Sequence, residues 1–140
     1  MDRAALDAAF ELAIPCGGWC PQGRMAEDGV IPARYLLAET PERQYAQRTE
    51  WNVRDSDGTL IVNKGELSGG SLLTFRKAQA FGKPCFVVQL DHPLLDETIE
   101  SWLGEHSIQV LNIAGPRESS VPHIYQETKG FLVNLFQRLH

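Results

Sequence analysis

The sequence predicts an α/β fold in which a parallel sheet is flanked by helices. Residues 59–62 form a continuous apolar run rich in β-branched side chains, as expected for a strand buried on both faces. A helical pattern then covers residues 71–81 and stops at Gly82, and a second apolar run follows at residues 85–90. Strand, helix and strand in this order form a βαβ unit, whose two strands run parallel.

The connection inside this unit is a glycine-rich loop at residues 65–71. It lies at the carboxyl end of the first strand and the positive end of the helix, where free amide groups favour an anion. It lacks the phosphate-loop lysine and the full dinucleotide fingerprint. The alternative is an ordinary turn in which glycines relieve crowding and a serine caps the helix. The candidate anion-binding residues of the loop are Gly65, Ser68, Gly69, Gly70 and Ser71.

A second glycine-containing turn follows a predicted third strand at residues 108–113. Gly115 allows close approach of a ligand, Arg117 can form a bidentate contact with phosphate, and Ser119 or Ser120 can cap the next helix. The alternative is a surface arginine beside Glu118. Because the carboxyl ends of parallel strands meet at one edge of a sheet, we expect the two turns to face one crevice.

The remaining helices are predicted at residues 1–13, 41–54, 92–106 and 122–139. On the second of these, Arg48, Asn52 and Asp55 follow i, i+4, i+7 spacing, and Tyr45, Thr49 and Asn52 mark a neighbouring polar-aromatic stripe. We interpret this side of the helix as a solvent-exposed face. Residues 55–58 form a turn at the amino end of the central strand, so we interpret its acidic side chains as structural. Residues 21–32 either cover a site or form a surface excursion.

Composition narrows the class of protein. A chain of 140 residues with 43% hydrophobic content has the size of one α/β domain, spanning residues 1–140. Thirteen basic against 18 acidic residues give a net charge of −5, with no basic tract, which argues against nucleic acid as a partner. We expect no membrane partner and a cytoplasmic location, because the apolar runs are strand-sized and no signal peptide is recognisable. Three cysteines form neither a disulfide framework nor a zinc motif, so no metal site is predicted.

Six blocks of the sequence follow one another along nearly the whole chain: residues 2–7, 23–32, 48–53, 55–60, 68–70 and 114–119. In this order they resemble the putative molybdenum carrier family of the SLOG group of Rossmann-like domains. The resemblance implies a three-layer α/β/α fold that binds a small phosphorylated ligand, with molybdenum cofactor (molybdopterin) as cargo, in a non-catalytic carrier that forms homo-oligomers.

Asp2 and Arg3 become candidate cofactor-binding residues through this resemblance. Family members usually carry a first strand and a Gly-Gly-Gln-Thr-Gly loop before this Asp-Arg pair, so we expect the sheet here to lack that strand. The related phosphoribohydrolases provide the alternative function, a nucleotide-processing enzyme. They are expected to carry a glutamate on the helix after the glycine loop, whereas residues 71–81 contain no carboxylate and Glu66 precedes the glycines.

Overall fold

A computed structural model describes residues 2–12, 16–20, 25–26, 29–30, 37–40, 45–91 and 96–139. Helices in these ranges are α1 (Asp2–Glu11), α2 (Tyr45–Arg54), α3 (Gly69–Phe81), α4 (Asp96–Glu105) and α5 (Ile124–Leu139). The strands are β1 (Trp19–Cys20), β2 (Met25–Ala26), β3 (Gly29–Val30), β4 (Ala38–Glu39), β5 (Gly58–Asn63), β6 (Cys85–Gln89) and β7 (Leu111–Ala114).

A parallel sheet with the order β6-β5-β7 organises the described part of the chain. Thr59 of β5 pairs with Cys85 of β6 on one side and with Asn112 of β7 on the other. The central strand is buried along its whole length, as its continuous apolar sequence predicts. The fold is Rossmann-like, and the predicted α/β class is confirmed.

Leu60 and Val62 project from one face of β5 into a hydrophobic core, and Ile61 projects from the other face. All three side chains have no solvent exposure. Side chains from α1, β6, α4 and α5 complete the cluster on the first face, while α3 contacts β5 and β6 and packs on α2. Helices therefore cover both faces of the sheet. The fully buried members of the cluster are Ala8, Leu60, Val62, Val88, Ile99, Leu132 and Leu135.

Two small strand pairs lie outside this sheet. Strand β1 pairs with β4 in parallel, and β2 pairs with β3 in antiparallel orientation. The second pair falls within the loop predicted at residues 21–32, and the rest of that loop lies outside the described residues. Two helices were predicted to begin within residues 41–44 and 92–95, which also lie outside the described residues. No described helix has the length and apolar character needed to cross a membrane.

The third strand of the sheet begins later than the sequence predicts, at Leu111 rather than residue 108. Asp57 accounts for the difference, since its Oδ2 accepts hydrogen bonds from the backbone N–H groups of Gln109 (3.0 Å) and Val110 (2.8 Å). Those amides are thereby bound to a side chain instead of a strand. The acidic turn at the amino edge is structural, as interpreted from its position.

We expect the free energy of unfolding to fall less steeply with decreasing pH in Asp57→Asn than in the wild-type protein. The hydrogen bonds from Val110 and Gln109 lower the pKa of the Asp57 carboxyl below its ordinary value. Its contribution to stability is therefore present above the unfolded-state pKa and disappears as the pH falls through the lower, folded-state pKa. Urea unfolding between about pH 5 and pH 2 measures this. Glu97→Gln, which neutralises an exposed carboxylate on α4, is the control; an unchanged slope in Asp57→Asn would contradict the assignment.

Candidate functional site

A cleft of about 460 Å³ with polar and apolar lining residues opens at the carboxyl edge of the sheet. Its walls come from three places: one face of α2, the first turns of α3, and the end of β7 with the turn that follows. Both glycine turns singled out in the sequence line it, in agreement with the shared edge of parallel strands. This is also the position where open α/β sheets generally bind ligands.

The first glycine turn exposes backbone amide groups to the cleft. Ser68 occupies the N-cap position of α3 with an extended backbone (φ −151°, ψ 167°), but its side chain makes no capping hydrogen bond. The first amide of α3 with an intrahelical acceptor is that of Leu72, bonded to the Ser68 carbonyl at 3.3 Å. Gly69 has a left-handed φ of +51° and Gly70 continues into the helix. Successive amides in such a conformation form a concave anion-binding nest.

The alternative interpretation of this turn invoked glycines that relieve crowding and a serine that caps the helix, and neither detail is seen in the described part of the chain. A Cβ atom built on Gly65, Gly69 or Gly70 would meet no described atom within 4 Å. Gly65 and Gly69 need glycine for their positive φ values of +82° and +51°, but Gly70 has neither a positive φ nor a close neighbour. Gly70 is the second residue of α3, and no contact within the described structure requires a glycine there.

The helix begins at Gly69, two residues before the predicted start at Ser71. Ser71 therefore sits in the first turn with only 1% of its surface exposed, and it does not line the cleft. Within the described structure its Oγ is buried without a hydrogen-bond partner, so it caps nothing.

The second turn brings Gly115, Pro116 and Arg117 to the opposite side of the cleft. Ser120 lines the cleft as well, whereas the predicted Ser119 does not. The carboxylate of Glu118 faces the start of α5, where it accepts hydrogen bonds from the backbone N–H groups of His123 and, at 3.2 Å, Tyr125. Glu118 thus caps the helix, the role that the sequence assigned to the serines, and its charge is directed to the positive end of α5.

Helix α2 forms the third wall, which the sequence reasoning missed. Arg48, Thr49 and Asn52 are half-buried and line the cleft, so the interpretation of a solvent-exposed face is wrong for them. Asp55, which shares their spacing, is exposed and forms an ion pair with Arg54 at 2.8 Å. The signal that could have identified the wall is a threonine and an asparagine on the same stripe as an arginine.

Asn112 of the cleft is held by a hydrogen bond, and Asn52 lies close to Gly18. Asn112 donates from Nδ2 to Thr59 Oγ1 at 3.2 Å, across the β5–β7 pair. Gly18, whose φ is +139°, lies so close to Asn52 that a Cβ atom there would stand 3.0 Å from the Asn52 Oδ1. A side-chain amide held as that of Asn112 is offers its remaining hydrogen bonds to a ligand in fixed directions.

The charge of the cleft is opposite to that of the chain. The chain carries a net charge of −5, yet the described residues that line the cleft include two arginines and no carboxylate. The described ranges also hold no cluster of three histidine, cysteine or acidic side chains placed to bind a metal ion. Guanidinium groups, amide nitrogens and hydroxyl groups in one concavity suit a phosphorylated anion.

The predicted site residues divide into three groups. Ser68, Gly69, Gly70, Gly115 and Arg117 come together in the cleft. Gly65, Ser71 and Ser119 lie outside its lining, the first two in the loop and helix that support it. Asp2 and Arg3 are the first two residues of α1, and their side chains lie outside the described part of the structure.

Comparison with known proteins identifies the family of this chain. The model of the circularly permutated YpsA SLOG family matches residues 1–136. The chain belongs to this family. The SLOG chain is also similar to a solved structure, that of a protein named putative molybdenum carrier protein from Syntrophus aciditrophicus SB. The two sequences are 50% identical, the match covers 96% of this chain and 87% of the other, and the TM-score is 0.90.

These findings confirm the resemblance to the SLOG molybdenum carrier group and the Rossmann-like fold. No curated protein matches the SLOG chain.

Proposed function

We propose that this SLOG domain binds a phosphorylated pterin, with molybdenum cofactor as its cargo, or a related nucleotide-like anion, and that it acts as a carrier. The observation that carries the proposal is the convergence of two glycine turns and two arginines on one cleft whose described lining has no acidic side chain. The name of the similar solved structure, a molybdenum carrier, supports the choice of cargo.

The phosphate group would bind at the nest formed by the amides of Gly69, Gly70 and Ser71. Amide groups at a helix start carry partial positive charge and point at an anion without any change of conformation. The open space beside Gly70 allows a phosphate oxygen to approach the backbone. Arg117 on the opposite turn would supply a charged second contact.

The remainder of the ligand would lie along α2 and the end of β7. Thr49, Asn52 and Asn112 offer hydroxyl and amide groups there, which suit the polar edge of a pterin or nucleobase ring. The cleft volume of about 460 Å³ is in the range of small-molecule sites and far exceeds the needs of a bare oxyanion. A carrier needs to hold the pterin, and the metal can remain on the ligand's own sulfur atoms.

The alternative, a nucleotide-processing enzyme, needs a proton donor or acceptor at the ligand. The described lining residues include no carboxylate, imidazole or thiol group that could serve. Glu66 is exposed in the loop before the glycines and is not among them. Incubation with nucleoside monophosphates, followed by detection of the free base, tests this alternative directly.

The cargo can be identified by purification from a host that synthesises molybdenum cofactor. We expect molybdenum and pterin to copurify in a constant ratio with the wild-type protein. Protein that is empty, and that also fails to bind added cofactor, would overturn the proposal. Light scattering on the same sample tests the homo-oligomer expected from the family resemblance.

Arg117→Ala should weaken binding of a phosphorylated ligand by about 1.5 to 3 kcal/mol, because a charged hydrogen bond is lost. The unfolding temperature without ligand should change little, since Arg117 is exposed. Calorimetric titration with guanosine monophosphate or molybdenum cofactor measures the effect. Arg76→Ala, which removes an exposed arginine on α3 outside the cleft lining, is the matched control. Equal affinities in the two variants would place the anion elsewhere.

A further inference from the structure

Two side-chain amides bind one carbonyl group in the loop that precedes the glycine nest. Asn63 donates from Nδ2 to the Gly65 carbonyl at 3.1 Å, and Gln89 donates from Nε2 to the same oxygen at 2.7 Å. Asn63 and Gln89 are paired residues at the carboxyl ends of β5 and β6. The Gly65 carbonyl is therefore fixed to two neighbouring strands of the sheet.

This attachment determines where the chain leaves the sheet. Gly65 has a φ of +82°, so the chain reverses at this residue, and the nest begins four residues later at Gly69. The backbone N–H of Leu90 donates to the Asn63 carbonyl at 2.9 Å, which extends the β5–β6 pairing to the base of the loop. Lys64 adds an ion pair with Glu127 of α5. The loop is anchored on both sides of its reversal.

Gln89 is the informative member of the pair. Within the described structure its Oε1 is buried and has no hydrogen-bond partner, although its Nε2 is bound. A buried acceptor without a partner destabilises the folded state, and methionine, which has nearly the same shape, would avoid this cost. The contribution of glutamine at this position is the hydrogen bond that it donates to the loop.

We infer that Gln89 and Asn63 are positioning residues of the phosphate site, which hold the amides of residues 69–71 in their anion-binding arrangement without touching the ligand. The inference rests on the proposed function for its role in binding. Neither residue lines the cleft, so they act through the Gly65 carbonyl. Preorganised amides bind an anion more tightly because the cost of ordering them is met before binding.

The test uses Gln89→Met, which removes the donor and the unpaired acceptor together. Gln79→Met, at an exposed position of α3, is the matched control. We expect the unfolding temperature of Gln89→Met to equal or exceed that of the wild type. Hydrogen exchange of the Leu72 and Leu90 amides, the hydrogen-bonded amides next to the loop, should accelerate about fivefold without ligand, and the affinity for inorganic phosphate should fall by a similar factor.

A double-mutant comparison separates positioning from a general effect on the fold. The weakening of phosphate binding by Gln89→Met should persist in an Arg117→Ala background, because that arginine lies on the other turn. It should be absent in a Gly70→Asp background, where the nest itself is blocked. Exchange rates that stay unchanged in Gln89→Met would overturn the positioning role, whether or not phosphate binds. Accelerated exchange in a wild-type-like protein that binds no phosphate would instead overturn the proposed function and, with it, the role in binding.

Discussion

We expect the Gly70→Asp variant to lose the thermal stabilisation that a phosphorylated ligand gives the wild-type protein, while the ligand-free variant unfolds at the same or a higher temperature. A carboxylate at the second position of α3 lies where amide groups and the helix dipole favour negative charge. It would therefore stabilise the helix by up to about 1 kcal/mol. The same charge would repel a phosphate, and we expect affinity to fall at least about a hundredfold.

The opposite signs of these two effects make the experiment informative. Gly70→Ala provides a neutral comparison, since its methyl group meets no protein atom within 4 Å and only takes space from the ligand. Gly130→Asp is the control for charge, because Gly130 lies in α5 outside the cleft lining and is also free of close neighbours. If Gly70→Asp responds to ligand as Gly130→Asp does, the nest is not the phosphate site.

Leu60→Ala should cause the largest loss of stability, about 3 kcal/mol in the free energy of unfolding. Leu60 is fully buried in the central strand, where side chains from α1, α4 and α5 surround it. Truncating its isobutyl side chain to a methyl group leaves a cavity that a strand paired on both sides cannot close. Urea denaturation followed by circular dichroism measures the change as a lower midpoint with the same slope.

Leu139→Ala is the matched control for this core substitution. Leu139 is the last residue of α5 and is 41% exposed, so the same truncation should cost less than about 1 kcal/mol. Similar losses for the two variants would mean that β5 is not at the centre of the folded domain.

The sequence predicts the central βαβ unit well because its signals are local. The apolar run of β5, the helical spacing of α3 and the left-handed cap at Gly82 (φ +65°) each depend on neighbouring residues. The predicted start of β7 was wrong because a distant side chain determines it. The start of β7 depends on Asp57, more than 50 residues earlier, whose carboxylate binds amides that the hydrophobic pattern assigns to a strand.

The candidate site, too, could be predicted from the sequence only in part. The two glycine turns could be placed in one cleft because strand order in a parallel sheet fixes their edge. The α2 wall could not be predicted, because a polar stripe on a helix has the same sequence pattern whether it faces water or a cleft. Only the packing of α2 on α3, supported by the Lys77–Glu50 ion pair at 3.2 Å, turns Arg48, Thr49 and Asn52 towards the glycine nest.

The pairing of β5 with β7 has a consequence for the order of folding. Thr59 and Asn112, which meet across that pair, are separated by 53 residues in sequence, whereas β6 follows β5 after a single helix. Closing the longer loop costs more chain entropy, so we expect the β5-α3-β6 unit to assemble before β7 joins it. The cleft needs the turn that follows β7, and it is therefore complete only when this last strand is in place. A ligand of the cleft would act on the fully assembled state alone, slowing unfolding while leaving the early steps of folding unaffected.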